Sequence, residues 1–186
     1  IFWILALTNA VNLIDGLDGL ATGVTLISLV TMGIVGFFFL KSWQHYVPIM
    51  CIMLAACLLG FLPYNFHPAK IFLGDTGALY IGFMISVFSL KGLKNVTFVS
   101  LLVPILILGV PITDTVYAMI RRKLNKKNIS QADKHHLHHQ LMRMGLTHRQ
   151  TVLAIYGISL IFSFVSLLSL VSPRWGIWLL ILGLSA

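Results

Sequence analysis

Long apolar runs punctuated by short polar clusters define this chain. Runs free of charged residues stand at Leu20 to Leu40, Tyr46 to Pro68, Thr76 to Leu90, Val96 to Thr113 and Thr151 to Ser172. Most of them approach the roughly 20 residues a helix needs to cross a hydrocarbon core. The pattern therefore predicts five membrane-spanning helices. Thr76 to Leu90 is short for a span, and its small residues, with Gly82, suit close helix packing or a thinned bilayer. Both ends read as cut, because "IFWILALTNAVNLI" is apolar from Ile1 onward and "WGIWLLILGLSA" stops inside an apolar run. The expectation is a single transmembrane domain over 1–186, the C-terminal part of a longer chain that begins and ends inside further helices.

Composition narrows the class. At 58% hydrophobic and 10% charged, with a mean hydropathy of +0.94, the chain departs from soluble domains, which are about half apolar and about a quarter charged. The fold class expected is all-α, a polytopic integral membrane helical bundle with cytoplasmic active-site loops. Cys51 and Cys57 lie six residues apart in one apolar run, point to different helix faces and read as packing residues rather than a disulfide or a metal site.

Charge orients the spans. If they alternate, residues 15–19, 67–77 and 114–150 share one side of the membrane. That side holds nine of the thirteen basic residues, so it is cytoplasmic by the positive-inside rule. All five acidic residues, Asp15, Asp18, Asp75, Asp114 and Asp133, fall at or beyond a cytoplasmic end of a span, as do six of the seven histidines. Carboxylates close to a bilayer are costly and are kept where they pair, bind an ion or do chemistry. One site assembled from several helix ends is the economical reading.

Four clusters would build it. In "NAVNLIDGLDG" the three-residue spacing puts Asn9, Asn12, Asp15 and Asp18 along one helical face, while Gly16 and Gly19 let the backbone turn or approach a ligand. A helix end with Asn and Asp satisfying a Gly-rich turn is the plainer alternative. Oxygen ligands of this kind suit Mg2+, or hydrogen bonds to a sugar or base, better than a soft metal. In "FLGDTG", Asp75 opens the next span, where a carboxylate and free N–H groups can hold a divalent ion and its phosphates or simply cap the helix. Asp114 ends a span, and Arg121 and Arg122 follow it. These arginines serve the positive-inside signal and can also grip phosphate bidentately. In "DKHHLHHQLMRMG" a short helix is expected from about Asp133 to Met144, stopped by Gly145. It carries His136, His138 and His139, able to bind Zn2+ or to donate to a pyrophosphate; the basic loop favours phosphate. Thr147 and Gln150 read as a capping box that starts the last span.

"NAVNLIDGLDGLA", "FLGDTG" and "DKHHLHHQL", in that order, resemble the polyprenyl-phosphate N-acetylhexosamine-1-phosphate transferases of glycosyltransferase family 4, most closely the bacterial type that starts teichoic acid linkage units. The resemblance implies transfer of N-acetylglucosamine 1-phosphate from UDP-N-acetylglucosamine to undecaprenyl phosphate with release of UMP. This is the first membrane step of a cell-wall polymer. It implies Mg2+, or Mn2+ in its place, and a multi-pass protein of the bacterial plasma membrane with a cytoplasmic active site. Its partners would be membrane lipid and not nucleic acid, with a homodimer left open.

By position, the resemblance makes Asp15, Asp18 and Asp75 the catalytic acids, with Asp75 and Asp15 on the metal. Asn9, Asn12, Asp114, Arg121, Arg122, His136, His138 and His139 would contact substrate. Two departures stand out. The family's adjacent Asp-Asp pair is absent from these residues and is expected in a missing N-terminal half, without which the fragment would be inactive. His135 is an extra histidine before the motif. Competing readings are a transferase loading phospho-muramyl-pentapeptide onto the same lipid, and a transporter with a His-rich cytoplasmic metal-sensing loop. The His-x-His-His pattern argues against the former. The absence of a mid-span acid argues against the latter.

Overall fold

The computed structural model describes residues 1–39, 46–92, 108–124 and 137–171. Among these the regular structure is all helix, with α1 at Phe2–Ile14, α2 at Leu20–Phe39, α3 at Tyr46–Asn65 and α4 at Gly74–Gly92. Then come α5 at Gly109–Leu124, α6 at Leu137–Arg143 and α7 at His148–Val171. Three helices are long and apolar enough to cross a membrane, namely Leu20–Phe38, Tyr46–Asn65 and His148–Leu168. Their large side chains stay exposed, Met53 at 59%, Leu160 at 56% and Phe164 at 61%. Such surfaces belong in lipid rather than water. The protein is an all-α membrane helical protein.

The expected spans are adjusted at their ends. The second ends at Asn65 rather than Pro68, because Asn65 turns inward: it accepts from the Thr22 hydroxyl at 2.7 Å and donates to the Ile71 carbonyl at 3.0 Å. The Tyr64 carbonyl takes the N–H groups of Lys70 (2.8 Å) and Ile71 (3.1 Å), so residues 66–71 fold back as a tight loop. The third, expected at Thr76 to Leu90, is a helix at Gly74–Gly92 but is not among the three helices long and apolar enough to cross a membrane; it brings Asp75 into the first turn of α4. The fourth, Val96 to Thr113, lies mostly outside the described residues. From Gly109 onward, helix continues through Asp114 to Leu124, so Asp114 does not end a helix as expected; the basic segment prolongs it.

Small and hydroxylic residues let the helices approach. On α2, Thr25, Ser28 and Thr31 are buried and return their hydroxyls to carbonyls one turn back, Ala21, Val24 and Ile27. Each hydroxyl thus has an acceptor within its own helix. Gly33 and Gly36 admit Ile52 and Pro48 of α3. Cys51 is buried and Cys57 exposed, both free, as the spacing required.

α1 packs chiefly on α4, and the contact is tightest at Gly82. A Cβ there would lie 2.8 Å from Thr8 Cα and 3.0 Å from its carbonyl oxygen. Backbone cannot yield as a flexible side chain can. Gly82→Ala is therefore expected to force α1 and α4 apart and to destabilise by about 1–3 kcal/mol, the usual scale of overpacking. Thermal denaturation in detergent would read this as a lower Tm, and an unchanged Tm would mean that the helices separate freely.

Candidate active site

The polar helix ends meet at one end of the bundle. α1 stops at Ile14 because Asp15 leaves helical geometry, with φ −75° and ψ 48°, while its N–H still bonds the Asn12 carbonyl. Gly19, at φ +80°, completes the turn into α2, and the Tyr156 hydroxyl of α7 pins it by donating to the Gly19 carbonyl at 2.5 Å. Asn9 and Asn12 keep the helical register. Asp15 sits at the helix end, and Asp18 leaves the common face expected for it because the turn carries it away.

Asn12 reaches across to α4, its Nδ2 donating to Asp75 Oδ1 at 3.2 Å. Asn9 does not join this pair; it is exposed and donates to the Leu5 carbonyl of its own helix. Asp15 is half-buried, and its carboxyl is pushed up to about 6, first by desolvation, then by the negative charges of Asp75 and Asp18. Two repelling carboxylates, one short of water, form an oxygen-donor pair that a hard divalent cation such as Mg2+ would relieve. The donor set fits that ion, with Asp15 and Asp75 as the residues to hold it.

The histidine segment packs on the same turn. His138 is buried, and a Cβ on Gly16 would lie 2.7 Å from its Nε2, so only glycine lets the ring rest on the Asp15–Gly19 turn. His139 leans on His138 with ring centroids 4.2 Å apart. Asp114 accepts the Leu137 N–H at 2.9 Å and anchors the start of α6. It borders a small cavity with Ile14, Leu20 and His138. Gly145, at φ +96°, ends this segment as expected, and Thr147 and Gln150 exchange the two hydrogen bonds of a capping box before α7. His135, His136 and Asp133 lie outside the described residues, as do the side chains of Arg121 and Arg122. The start expected for α6 near Asp133 falls there too.

One constellation lies beyond the sequence reading. Asp18 Oδ2 accepts from His67 Nδ1 at 2.9 Å and from the Ala69 N–H at 3.1 Å, and the His67 ring stacks on His148 with centroids 4.1 Å apart and planes 19° from parallel. Desolvation raises the Asp18 carboxyl, but the bonds from His67 and Ala69 and the nearby His148 and His67 charges outweigh it and hold it below its ordinary value. Ligand atoms of Asp18, His67 and His148 all lie within 4.8 Å of one another, as in a metal site. Stacking argues otherwise. The in-plane lone pairs of near-parallel rings do not converge on one ion about 2.0–2.1 Å from each nitrogen.

Comparison with known proteins gives the same direction. Residues 1–93 match the family model "Glycosyl transferase family 4". The chain is 51% identical over 176 residues to a probable undecaprenyl-phosphate N-acetylglucosaminyl 1-phosphate transferase of Bacillus subtilis, covering 94% of this chain and 48% of that protein. It is 37% identical to the decaprenyl-phosphate N-acetylglucosaminephosphotransferase of Mycobacterium tuberculosis (81% of this chain, 42% of the relative). With the phospho-N-acetylmuramoyl-pentapeptide-transferase of Staphylococcus saprophyticus it shares 34% (90% and 50%). The chain spans about half the length of these curated relatives. Its first helices, the Asp-bearing turn and the "FLGDTG" segment all fall inside the matched residues, and on that match the chain belongs to glycosyl transferase family 4.

Proposed function

We propose that the full-length protein transfers N-acetylglucosamine 1-phosphate from UDP-N-acetylglucosamine to undecaprenyl phosphate, releasing UMP, at the cytoplasmic face of a bacterial plasma membrane that it crosses several times. The observation that carries this reading is the meeting of Asp15, Asp75 and His138 around one glycine turn at one end of an apolar bundle. In the proposed reaction an oxygen of the lipid phosphate attacks the phosphorus that bears the sugar. The bond from that phosphorus to the bridging oxygen breaks, and the electron pair leaves with UMP. Nucleophile and electrophile are both anionic, so catalysis consists chiefly of positioning and charge neutralisation.

Each residue has a part in this. Asp15 and Asp75 would hold Mg2+, which when bound supplies charge neutralisation at the phosphates. Asn12 keeps Asp75 oriented toward α1. His138 and His139 would donate to phosphate oxygens beside the Asp15–Gly19 turn, with His136, Arg121 and Arg122 as further donors. Asp114 acts at a distance, by fixing the start of the histidine helix.

The test is label transfer by the intact protein in detergent or membranes, with undecaprenyl phosphate, Mg2+ and either radiolabelled UDP-N-acetylglucosamine or the UDP-muramyl-pentapeptide. Lipid-soluble label from the first donor alone, with UMP release and loss on adding EDTA, is the expected result. Label from the second donor would move the protein to the muramyl-pentapeptide branch. No label from either would overturn the transferase reading and return attention to the transporter.

A further inference from the structure

The Asp18, His67 and His148 group links three parts of the fold that are distant in sequence. Asp18 stands in the turn between α1 and α2, His67 in the loop between α3 and α4, and His148 at the first position of α7. The loop is held from behind as well, since Arg149 Nε donates to the His67 carbonyl at 3.1 Å. Both hydrogen bonds to Asp18 end on Oδ2. Its Oδ1 accepts none among the described residues and is left for an outside donor. A carboxylate accepting two bonds on one oxygen has its rotation fixed, which is how supporting groups preorganise a binding residue.

The ring that makes one of those bonds is itself fixed. His67 Nδ1 must carry the proton to donate to a carboxylate, and the stack on His148 sets the ring plane. His148 Nε2 is buried with no hydrogen-bond partner among the described residues, so this histidine is kept for its ring surface rather than for a bond through Nε2. Resting on the transferase reading above, we propose that His67, braced by His148, is a positioning residue that aims the free oxygen of Asp18 at N–H or O–H groups of the nucleotide sugar. It acts on donor binding and not on the transfer step.

Two substitutions in the full-length enzyme separate this role from mere support. His67→Phe keeps an aromatic ring on His148 but cannot donate; His67→Asn keeps a donor near the Nδ1 position but loses the stack. With H67F, KM for UDP-N-acetylglucosamine is expected to rise about tenfold or more, on the scale of a charge-assisted hydrogen bond, while kcat and the KM for undecaprenyl phosphate stay within about threefold. H67N is expected to recover most of the lost donor affinity. His148→Ala, which frees the ring plane, should raise the donor KM severalfold and decides the matter if H67F does not fold.

Equal losses in H67F and H67N, or losses confined to kcat and Tm, would make His67 a structural residue only and overturn the proposal. So would a donor KM that neither H67F nor H148A changes. Wild-type enzyme that transfers no label would instead overturn the transferase reading itself, so the two failures are distinguishable.

Discussion

Replacing Asp75 with Asn in the full-length enzyme is expected to lower kcat at least about a thousandfold, because a metal-assisted neutralisation of two phosphates contributes several kcal/mol. The substitution removes a charge and leaves the shape. In D75N the new amide would still offer an oxygen to Asn12 Nδ2, which Asp75 Oδ1 accepts at 3.2 Å, and the position, in the first turn of α4, is exposed. Stability should change little, because the loss of a favourable carboxylate at a helix N-terminus, about 0.3–1 kcal/mol, is offset by relief of its repulsion with Asp15. The two readouts together carry the test. Loss of Mg2+-dependent turnover at unchanged Tm supports a metal-holding carboxylate, whereas near-normal turnover would remove Asp75 from the site and leave it as a first-turn acid. A large drop in Tm would show that its role is structural.

Spans and site are legible to different depths. Leu20–Phe39, Tyr46–Asn65 and His148–Val171 can be read because a membrane helix announces itself by composition over about 20 residues. The capping box at Thr147 and the glycine stop at Gly145 are legible because they are local. Asp114 is misplaced by the sequence pattern because a run of Arg and Lys suggests the end of a span, although Arg and Lys are good helix formers and carry α5 on to Leu124. Asp18 falls on the Asn12 face only if the helical period is extended beyond Ile14, where Asp15 has already left the helix.

His67 and His148 escape a sequence reading for a different reason. Each is a single histidine in its own segment, and their meeting with Asp18 spans 49 residues for the first bond alone. No periodicity carries that. The one hint in the sequence is that both fall on the side assigned to the acids, which becomes informative only once the ends of α3 and α7 are known to lie against the Asp15–Gly19 turn.

Asp15→Asn should give a paired result, abolishing turnover while making the metal-free protein more stable. The pairing follows from the raised carboxyl of Asp15, at about 6 against an ordinary 3.8, caused first by desolvation and then by Asp75 and Asp18. In the unfolded chain this group ionises near the ordinary value, whereas in the folded chain it holds its proton to higher pH. The folded state thus binds more protons between about 4 and 6, so stability falls as pH rises through that window and remains lower above it. The full displacement corresponds to about 3 kcal/mol, which solvent screening of a half-exposed group reduces to about 1 kcal/mol.

In EDTA, the wild-type Tm should therefore decline between about pH 4 and pH 6, with the D15N curve flatter and a few degrees higher at neutral pH, at about 2–4 °C per kcal/mol. Saturating Mg2+ should raise the wild-type Tm at neutral pH and leave D15N nearly unmoved, since only an ion that binds the folded state stabilises it. A D15N protein less stable than wild type in EDTA at neutral pH would contradict the electrostatic cost assigned to this carboxylate. Near-normal Mg2+-dependent turnover would contradict its place on the metal. A residue that costs stability without the cation and is needed with it is what a carboxylate preorganised for a cation would require, the cost coming first from desolvation and then from the charges of Asp75 and Asp18.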